Sequence, residues 1–183
     1  MRFEHLVFVT SNVGKLREAE AVLGTPLEHH ALDLDELQSL DLEEVVRHKA
    51  AAAFERLGRP VLVEDTGLGL AGLGGFPGPL VKFLLACVGP EGICALARCF
   101  GDDAATARCV ACATNGERTV LGVGAVPGRI ATAPRGRLGF GWDSVFVPDA
   151  GDGRTYAEMD ENHKNAISHR RLALADLRRT LGP

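Results

Sequence analysis

The sequence predicts an α/β protein built on a mixed sheet, and three observations carry that reading. Phe3 to Val9, rich in Val, Leu and Phe, leads through the polar turn Thr10-Ser11-Asn12-Val13-Gly14 into Leu16, Ala19, Val22 and Leu23 at helical spacing, which is strand, loop and helix. Pro60 to Val63 reads as a second, buried strand that follows a helical stretch. Ala105 to Thr114 and Arg118 to Val126 flank Asn115-Gly116, a strong hairpin signal, so the sheet is expected to mix parallel and antiparallel pairing.

The elements follow in order. Gly24 stops the first helix. A second helix is predicted over Leu42 to Leu57, where Asp41 and Glu44 have capping-box spacing, Leu42, Val45, Val46, Ala50, Ala53, Phe54 and Leu57 form the apolar stripe, and Gly58 ends it. The strand after Pro60 is expected to end at Glu64-Asp65-Thr66-Gly67, and Gly69 to Pro79 to form a glycine-rich loop that shapes a pocket or a subunit contact. Helical patterns run through Leu80 to Val88 and Glu91 to Phe100. Phe140 to Val147 offers another strand, and Lys164 to Leu181 one closing helix with Ile167, Arg170, Leu174, Leu177 and Leu181 on its stripe.

A chain of 183 residues fits one domain spanning 1–183, and 46% hydrophobic with 24% charged residues excludes disordered, collagen-like and coiled-coil classes. No apolar run approaches the roughly 18 residues of a membrane span, and the start MRFEHLVFVT lacks a signal-peptide pattern, so a cytoplasmic protein without membrane contact is expected. A formal charge of −4 without a basic tract argues against a nucleic acid polymer as partner. A small anionic ligand then needs a local positive pocket. Five cysteines, an odd number, are expected as reduced thiols; Cys109 and Cys112 fall on opposite faces of one strand, and no second Cys/His pair completes a zinc site.

The residues that could carry chemistry lie at a few places. Sixteen of the basic residues are Arg and four are Lys (Lys15, Lys49, Lys82, Lys164), so the lysines are candidates for positions that want a compact ammonium against phosphate. The first loop aims a helix N-terminus, the side chains of Thr10, Ser11 and Asn12 and the charge of Lys15 at one point, which suits an anion; simple N-capping by Ser11 or Asn12 is the competing reading. Lys49 follows Leu42, Val45 and Val46 at helical spacing and so lies on its own helix's apolar stripe, either snorkelling or reaching a phosphate. Of the acidic pair Glu64 and Asp65, alternation sends one to each face, and Asp65, next to the glycine turn, is the better ligand for a hard cation. Phe140-Gly141-Trp142-Asp143 could stack on a flat base or pack in the core, and Ser168-His169-Arg170 offers donors near Lys164.

Taken together these segments resemble the inosine/xanthosine triphosphate pyrophosphatase family (Ham1-like, noncanonical purine NTP pyrophosphatases) over nearly the whole chain. The resemblance rests on T-S-N-x-G-K at 10–15, D-L-x-E-x-Q at 33–38, Lys49, V-L-V-E-D-T-G at 61–67, G-G-F-P-G-P at 74–79, F-G-W-D at 140–143, Y-A-E-M at 156–159 and K-N-A-I-S-H-R at 164–170. It implies an elongated, two-lobed α/β domain with a central substrate cleft, a homodimer, and Mg2+-dependent hydrolysis of ITP, dITP or XTP to the monophosphate and pyrophosphate. Carried over by residue, Thr10, Asn12, Lys15 and Lys49 would hold the triphosphate, Ser11, Thr66 and Lys82 would also bind substrate, with Lys82 facing the cleft, and Glu36 and Asp65 would bind metal or activate water. Lys15, Lys49 and Asp65 would act in catalysis. Phe140, Gly141, Trp142, Asp143, Lys164, Ser168, His169 and Arg170 would form the nucleoside pocket. Glu64 stands where many bacterial members have a second Asp, which leaves the roles of Glu64 and Asp65 open. Arg170 is further expected to be removable without loss of the fold. The competing readings are a Maf-like pyrophosphatase for modified nucleotides and a non-catalytic nucleotide-binding module.

Overall fold

Capped helices and one long antiparallel ladder organise the chain in the computed structural model, which describes residues 3–182. Residues 1, 2 and 183 of the expected 1–183 domain lie outside the described residues. Strand β1 (Val7–Val9) feeds helix α1 (Val13–Leu23), whose N-cap is Asn12 and whose left-handed C-cap is Gly24. The short strand β2 (His29–His30), which carries no sequence signal of its own, pairs parallel to β1. Helix α2 (Leu42–Leu57) has the expected bounds, and Asp41 accepts the N–H groups of Glu43 and Glu44. The capping-box expectation holds only on the Asp41 side, because Ser39 Oγ donates to the Glu44 carboxylate at 2.6 Å and itself accepts the Asp41 N–H.

The other elements differ from expectation at instructive points. Strand β3 (Val61–Leu70) does not end at Glu64-Asp65 but runs on through Gly67 and Gly69. A Cβ at Gly67 would lie 2.8 Å from the Gly78 carbonyl carbon, and one at Gly69 would lie 2.9 Å from the Gly75 oxygen, so these glycines let strand β4 (Pro77–Gly78) and the loop before it lie against β3. The two predicted helices after Pro79 are both present, joined end to end as α3 (Val81–Phe100) and separated where Gly89 leaves helical geometry. Strands β5 (Ala104–Thr114) and β6 (Thr119–Ile130) form the expected hairpin. The Phe140–Val147 strand shrinks to β7 (Phe146–Pro148), and the closing helix divides at Ser168 into α4 (Glu161–Ile167) and α5 (His169–Leu181).

The open sheet has the order β2-β1-β3-β5-β6-β7, with β4 paired to β3; β1 is parallel to β2 and β3, and the remaining pairs are antiparallel. Strand alternation divides the core. Cys109, Ala111 and Ala113 face α1 and α5 with Phe8, Leu62, Leu174 and Leu177, while Val110 and Cys112 face α2 with Val46, Ala50 and Ala53. Cys109 and Cys112 therefore lie on opposite faces, as expected, and all five cysteines are free. A third cluster joins Ile93, Cys94 and Ala97 of α3 to Leu68, Val126, Trp142, Phe146 and Tyr156. Against the expectation that no run approaches a membrane span, α3 is long and apolar enough by length and composition to cross one. The break at Gly89 divides it into two pieces, and Lys82, Glu91 and Arg98 interrupt it with charge.

Candidate active site

The β1–α1 loop, the middle of β3, the first turn of α3, the Phe140 loop and the start of α5 converge on one cavity of about 280 Å3. The loop is fixed by its own hydrogen bonds. Asn12 Oδ1 accepts from the N–H groups of Gly14 and Lys15 at 2.9 and 3.2 Å, Thr10 Oγ1 accepts the Asn12 N–H at 3.1 Å, and His29 Nε2 meets the Thr10 carbonyl at 2.7 Å. Asn12 thus caps the helix, and Thr10, Ser11 and Asn12 line the cavity as well.

Three lysines give one end of the cavity its charge. Lys15 Nζ lies 2.9 Å from Glu64 Oε1 and 3.0 Å from Asp65 Oδ1. Burial alone would depress the Lys15 pKa, but the two carboxylates outweigh it and raise it well above the ordinary value. Lys49, from α2, and Lys82, from α3, both reach Glu36 in the loop between β2 and α2, Lys49 at 3.5 Å. Both lysines are held below the usual pKa, first by desolvation and then by the charge of Lys15. Thr66 lines the cavity beside Asp65, and its N–H donates to Asp65 Oδ1 at 2.9 Å.

The acidic neighbours on β3 differ sharply in surroundings. Asp65 lines the cavity, whereas Glu64 is buried under it, 2% exposed. Glu64 Oε2 accepts from Arg170 Nε at 3.2 Å and from the Cys109 thiol at 3.2 Å. Burial would raise its pKa, yet Arg170 and Lys15 hold the carboxyl well below the usual range. Burial pushes the Cys109 thiol up, so it acts as a neutral donor. Arg170 also binds Glu18, and Lys164 Nζ bridges Glu18 Oε1 and Asp143 Oδ2 at 2.6 Å each. The result is one chain of alternating charge under the cavity, Asp65–Lys15–Glu64–Arg170–Glu18–Lys164–Asp143.

Rings line the other end. Phe140 lies 4.7 Å from Lys164 Nζ, and Trp142 sits 5.2 Å from the His169 ring. Trp142 also packs edge-on against Phe146, so cavity wall and core are one cluster. His169 Nδ1 is buried without a hydrogen-bond partner, and burial, then Arg170 and Lys164, keep the imidazole neutral well below its ordinary pKa.

The cavity gathers sixteen of the seventeen expected site residues, Thr10, Ser11, Asn12, Lys15, Glu36, Lys49, Asp65, Thr66, Lys82, Phe140, Gly141, Trp142, Asp143, Lys164, His169 and Arg170. Ser168 is the exception: fully buried, it accepts the Arg171 N–H at 3.1 Å and caps α5. Arg170 lines the wall but spends Nε, Nη1 and Nη2 on Glu64 and Glu18. Sequence reading missed Glu18, although its place three residues after Lys15 and four before Val22 sets it on the inward side of α1. It also missed the apolar wall of Pro79, Val81 and Leu85.

Comparison with known proteins agrees with this geometry. The family model described as the Ham1 family matches residues 6–180. Inosine triphosphate pyrophosphatase 2 of Trypanosoma cruzi (strain CL Brener) is 46% identical over 176 residues, covering 94% of this chain and 90% of that protein. Inosine triphosphate pyrophosphatase of Yarrowia lipolytica (strain CLIB 122 / E 150) is 47% identical over 178 residues, covering 94% and 93%. The structure of a HAM1 protein from Coxiella burnetii superposes with a TM-score of 0.81 at 30% identity, covering 97% of this chain and 98% of that one. With the match running through both the Thr10–Lys15 loop and the Ser168-His169-Arg170 segment, the chain belongs to the Ham1 family.

Proposed function

We propose that this chain hydrolyses noncanonical purine nucleoside triphosphates, ITP, dITP and XTP, to the monophosphate and pyrophosphate, clearing them from the nucleotide pool. The observation that carries the reading is a single cavity that joins a lysine-lined end, with Asp65 beside Lys15, to an end lined by the rings of Phe140, Trp142 and His169. The relatives named inosine triphosphate pyrophosphatase support it. The Ham1 family match weighs against a Maf-like enzyme, and the carboxylate within the lysine cluster weighs against a non-catalytic binding module.

The cavity's donor set fits a divalent cation. Among the described residues no three or more His, Cys, Asp or Glu gather as a metal cluster; of the three carboxylates on the cavity wall, Asp143 is held by Lys164 at 2.6 Å at the ring-lined end, which leaves Glu36 and Asp65 at the lysine-lined end. That is the set Mg2+ takes, since it completes its shell with water and phosphate oxygens. Glu36 and Asp65 would hold Mg2+, which when bound neutralises charge on the triphosphate.

The protein's own groups then do the following. Lys15, Lys49 and Lys82 turn from their carboxylates to the triphosphate and stabilise the charge that grows on the departing pyrophosphate. Asp65 takes a proton from the water that attacks the α-phosphorus. Phe140 and Trp142 hold the base, and neutral His169 offers a hydrogen bond to its edge. A carbonyl at position six accepts such a bond, whereas the amino group of adenine does not. The buried Glu64–Arg170–Glu18–Lys164 chain positions these groups.

We place the protein in the cytoplasm and read it as one domain, working as a homodimer. The exposed apolar side chains of Phe83, Val88 and Phe100 on α3 suit pairing with a second copy. The activity is tested by incubating ITP and Mg2+ with catalytic amounts of protein in 18O-labelled water. IMP carrying one label together with unlabelled pyrophosphate is expected; label in the pyrophosphate, or release of inorganic phosphate, contradicts attack at the α-phosphorus.

A further inference from the structure

Gly14 occupies the second position of α1, in a helical conformation that any residue could adopt. Glycine is a poor helix former, so its use there calls for a reason outside the backbone. The reason is contact. A Cβ at Gly14 would lie 2.6 Å from Phe140 Cδ1 and 2.7 Å from Cε1, well inside van der Waals distance, with Asn12 Oδ1 at 3.1 Å. The aromatic ring rests directly on the bare backbone of the turn that carries the phosphate loop.

Phe140 has little freedom to yield. Its own N–H donates to Asp143 Oδ2 at 2.8 Å, and that carboxylate is fixed by Lys164 at 2.6 Å. The loop bends at Gly139 and Gly141, both in the left-handed region, and a Cβ at Gly139 would meet Asp143 Oδ2 at 2.2 Å. Lys164 Nζ and Arg170 Cζ lie 4.7 and 5.8 Å from the ring centroid. With its backbone and cationic neighbours fixed, the ring can escape a new side chain at position 14 only by tilting into the cavity.

We propose that Gly14 is a positioning residue for base recognition: its missing side chain is the seat that holds the Phe140 ring at the angle a purine stacks on. The inference rests on the nucleotide reading above and adds to it a residue that touches no base. A side chain at position 14 costs base affinity and leaves the triphosphate subsite as it was.

The test uses Gly14→Ala, Phe140→Ala and the double variant, each with Mg2+, measuring the Kd of IMP and of inorganic tripolyphosphate and the steady-state constants for ITP. Gly14→Ala is expected to weaken IMP and raise the KM for ITP by about tenfold, the scale of one base–aromatic stack. Tripolyphosphate affinity and kcat should stay within about twofold, because Lys15, Lys49 and Asp65 are untouched. Phe140→Ala alone should lose at least as much, and adding Gly14→Ala to it should cost nothing more, since the clash is gone. The double variant also folds without that clash, so instability of Gly14→Ala cannot conceal the answer. An equal loss of tripolyphosphate affinity, additive losses in the double variant, or unchanged IMP binding in Gly14→Ala each overturn the inference. A wild type that neither binds IMP nor hydrolyses ITP overturns the nucleotide reading itself.

Discussion

Arg170 meets Glu64 through Nε and Nη2, both 3.2 Å from the same carboxylate oxygen, with each side chain about 1% exposed. The pair lies within a buried network, since Arg170 also holds Glu18. Arg170→Ala therefore leaves two buried carboxylates short of their cation, a change that typically costs about 3–5 kcal/mol. The expectation that this variant keeps an intact fold is not supported by the structure. Urea unfolding of Arg170→Ala should show a midpoint far below wild type, and a midpoint equal to wild type would remove the network from the stability account.

The parts of the fold that follow from local pattern were readable. Helix 42–57 came from Asp41, the Leu42–Val46–Ala50 stripe and Gly58, and the hairpin from Asn115-Gly116. The misread parts depend on contacts distant in sequence. Gly67 and Gly69 look like loop, but they are strand residues left bare so that other backbone can lie on them. Gly122 and Gly124 in β6 serve α5 in the same way, with Cβ positions 2.3 Å from Ala173 O and 2.1 Å from His169 O. Ser168 divided a continuous apolar stripe because its hydroxyl starts a new helix. The cavity wall was legible in the Thr10–Lys15, Phe140–Asp143 and Ser168–Arg170 motifs, whereas the partners that make Glu18 part of the buried network, Arg170 and Lys164, lie about 150 residues away in sequence.

Lys49 has a side chain only 15% exposed, on the cavity wall, and faces Glu36 at 3.5 Å. Lys49→Met keeps most of the stem in its apolar setting, so stability should hold. Loss of a charged contact to phosphate should raise the KM for ITP by about tenfold or more. Unchanged KM and kcat would leave Lys49 a snorkelling residue.

His169 makes stability depend on pH. Its folded-state pKa lies well below the ordinary 6.5, because burial and the nearby Arg170 and Lys164 disfavour the imidazolium. Below pH 6.5 the unfolded chain binds a proton that the native state refuses, so stability is complete above that pH and falls as the pH drops. The slope approaches about 1.4 kcal/mol per pH unit for one proton at 25 °C. Glu64 adds to the fall below pH 4.5, since its native pKa is depressed and its contribution is lost as acid protonates it. His169→Gln should flatten the stability profile between pH 6.5 and 4.5; an identical slope in that variant would show that another group sets it.

Asp65 is the carboxylate that both lines the cavity and touches Lys15. Asp65→Asn is nearly isosteric, so nucleotide binding should change little while single-turnover pyrophosphate release falls about 10²–10⁴-fold, the contribution of a general base. Near wild-type turnover would clear Asp65 of that role. Survival there combined with loss in Glu64→Gln would exchange the two neighbours' roles.

The central claim is that this cavity selects a purine with a carbonyl at position six and cleaves its triphosphate, and kcat/KM for ITP against ATP under identical Mg2+ tests it most directly. The account predicts a preference for ITP of more than about tenfold, or about 1.4 kcal/mol of transition-state discrimination. Equal kcat/KM for the two nucleotides would contradict it.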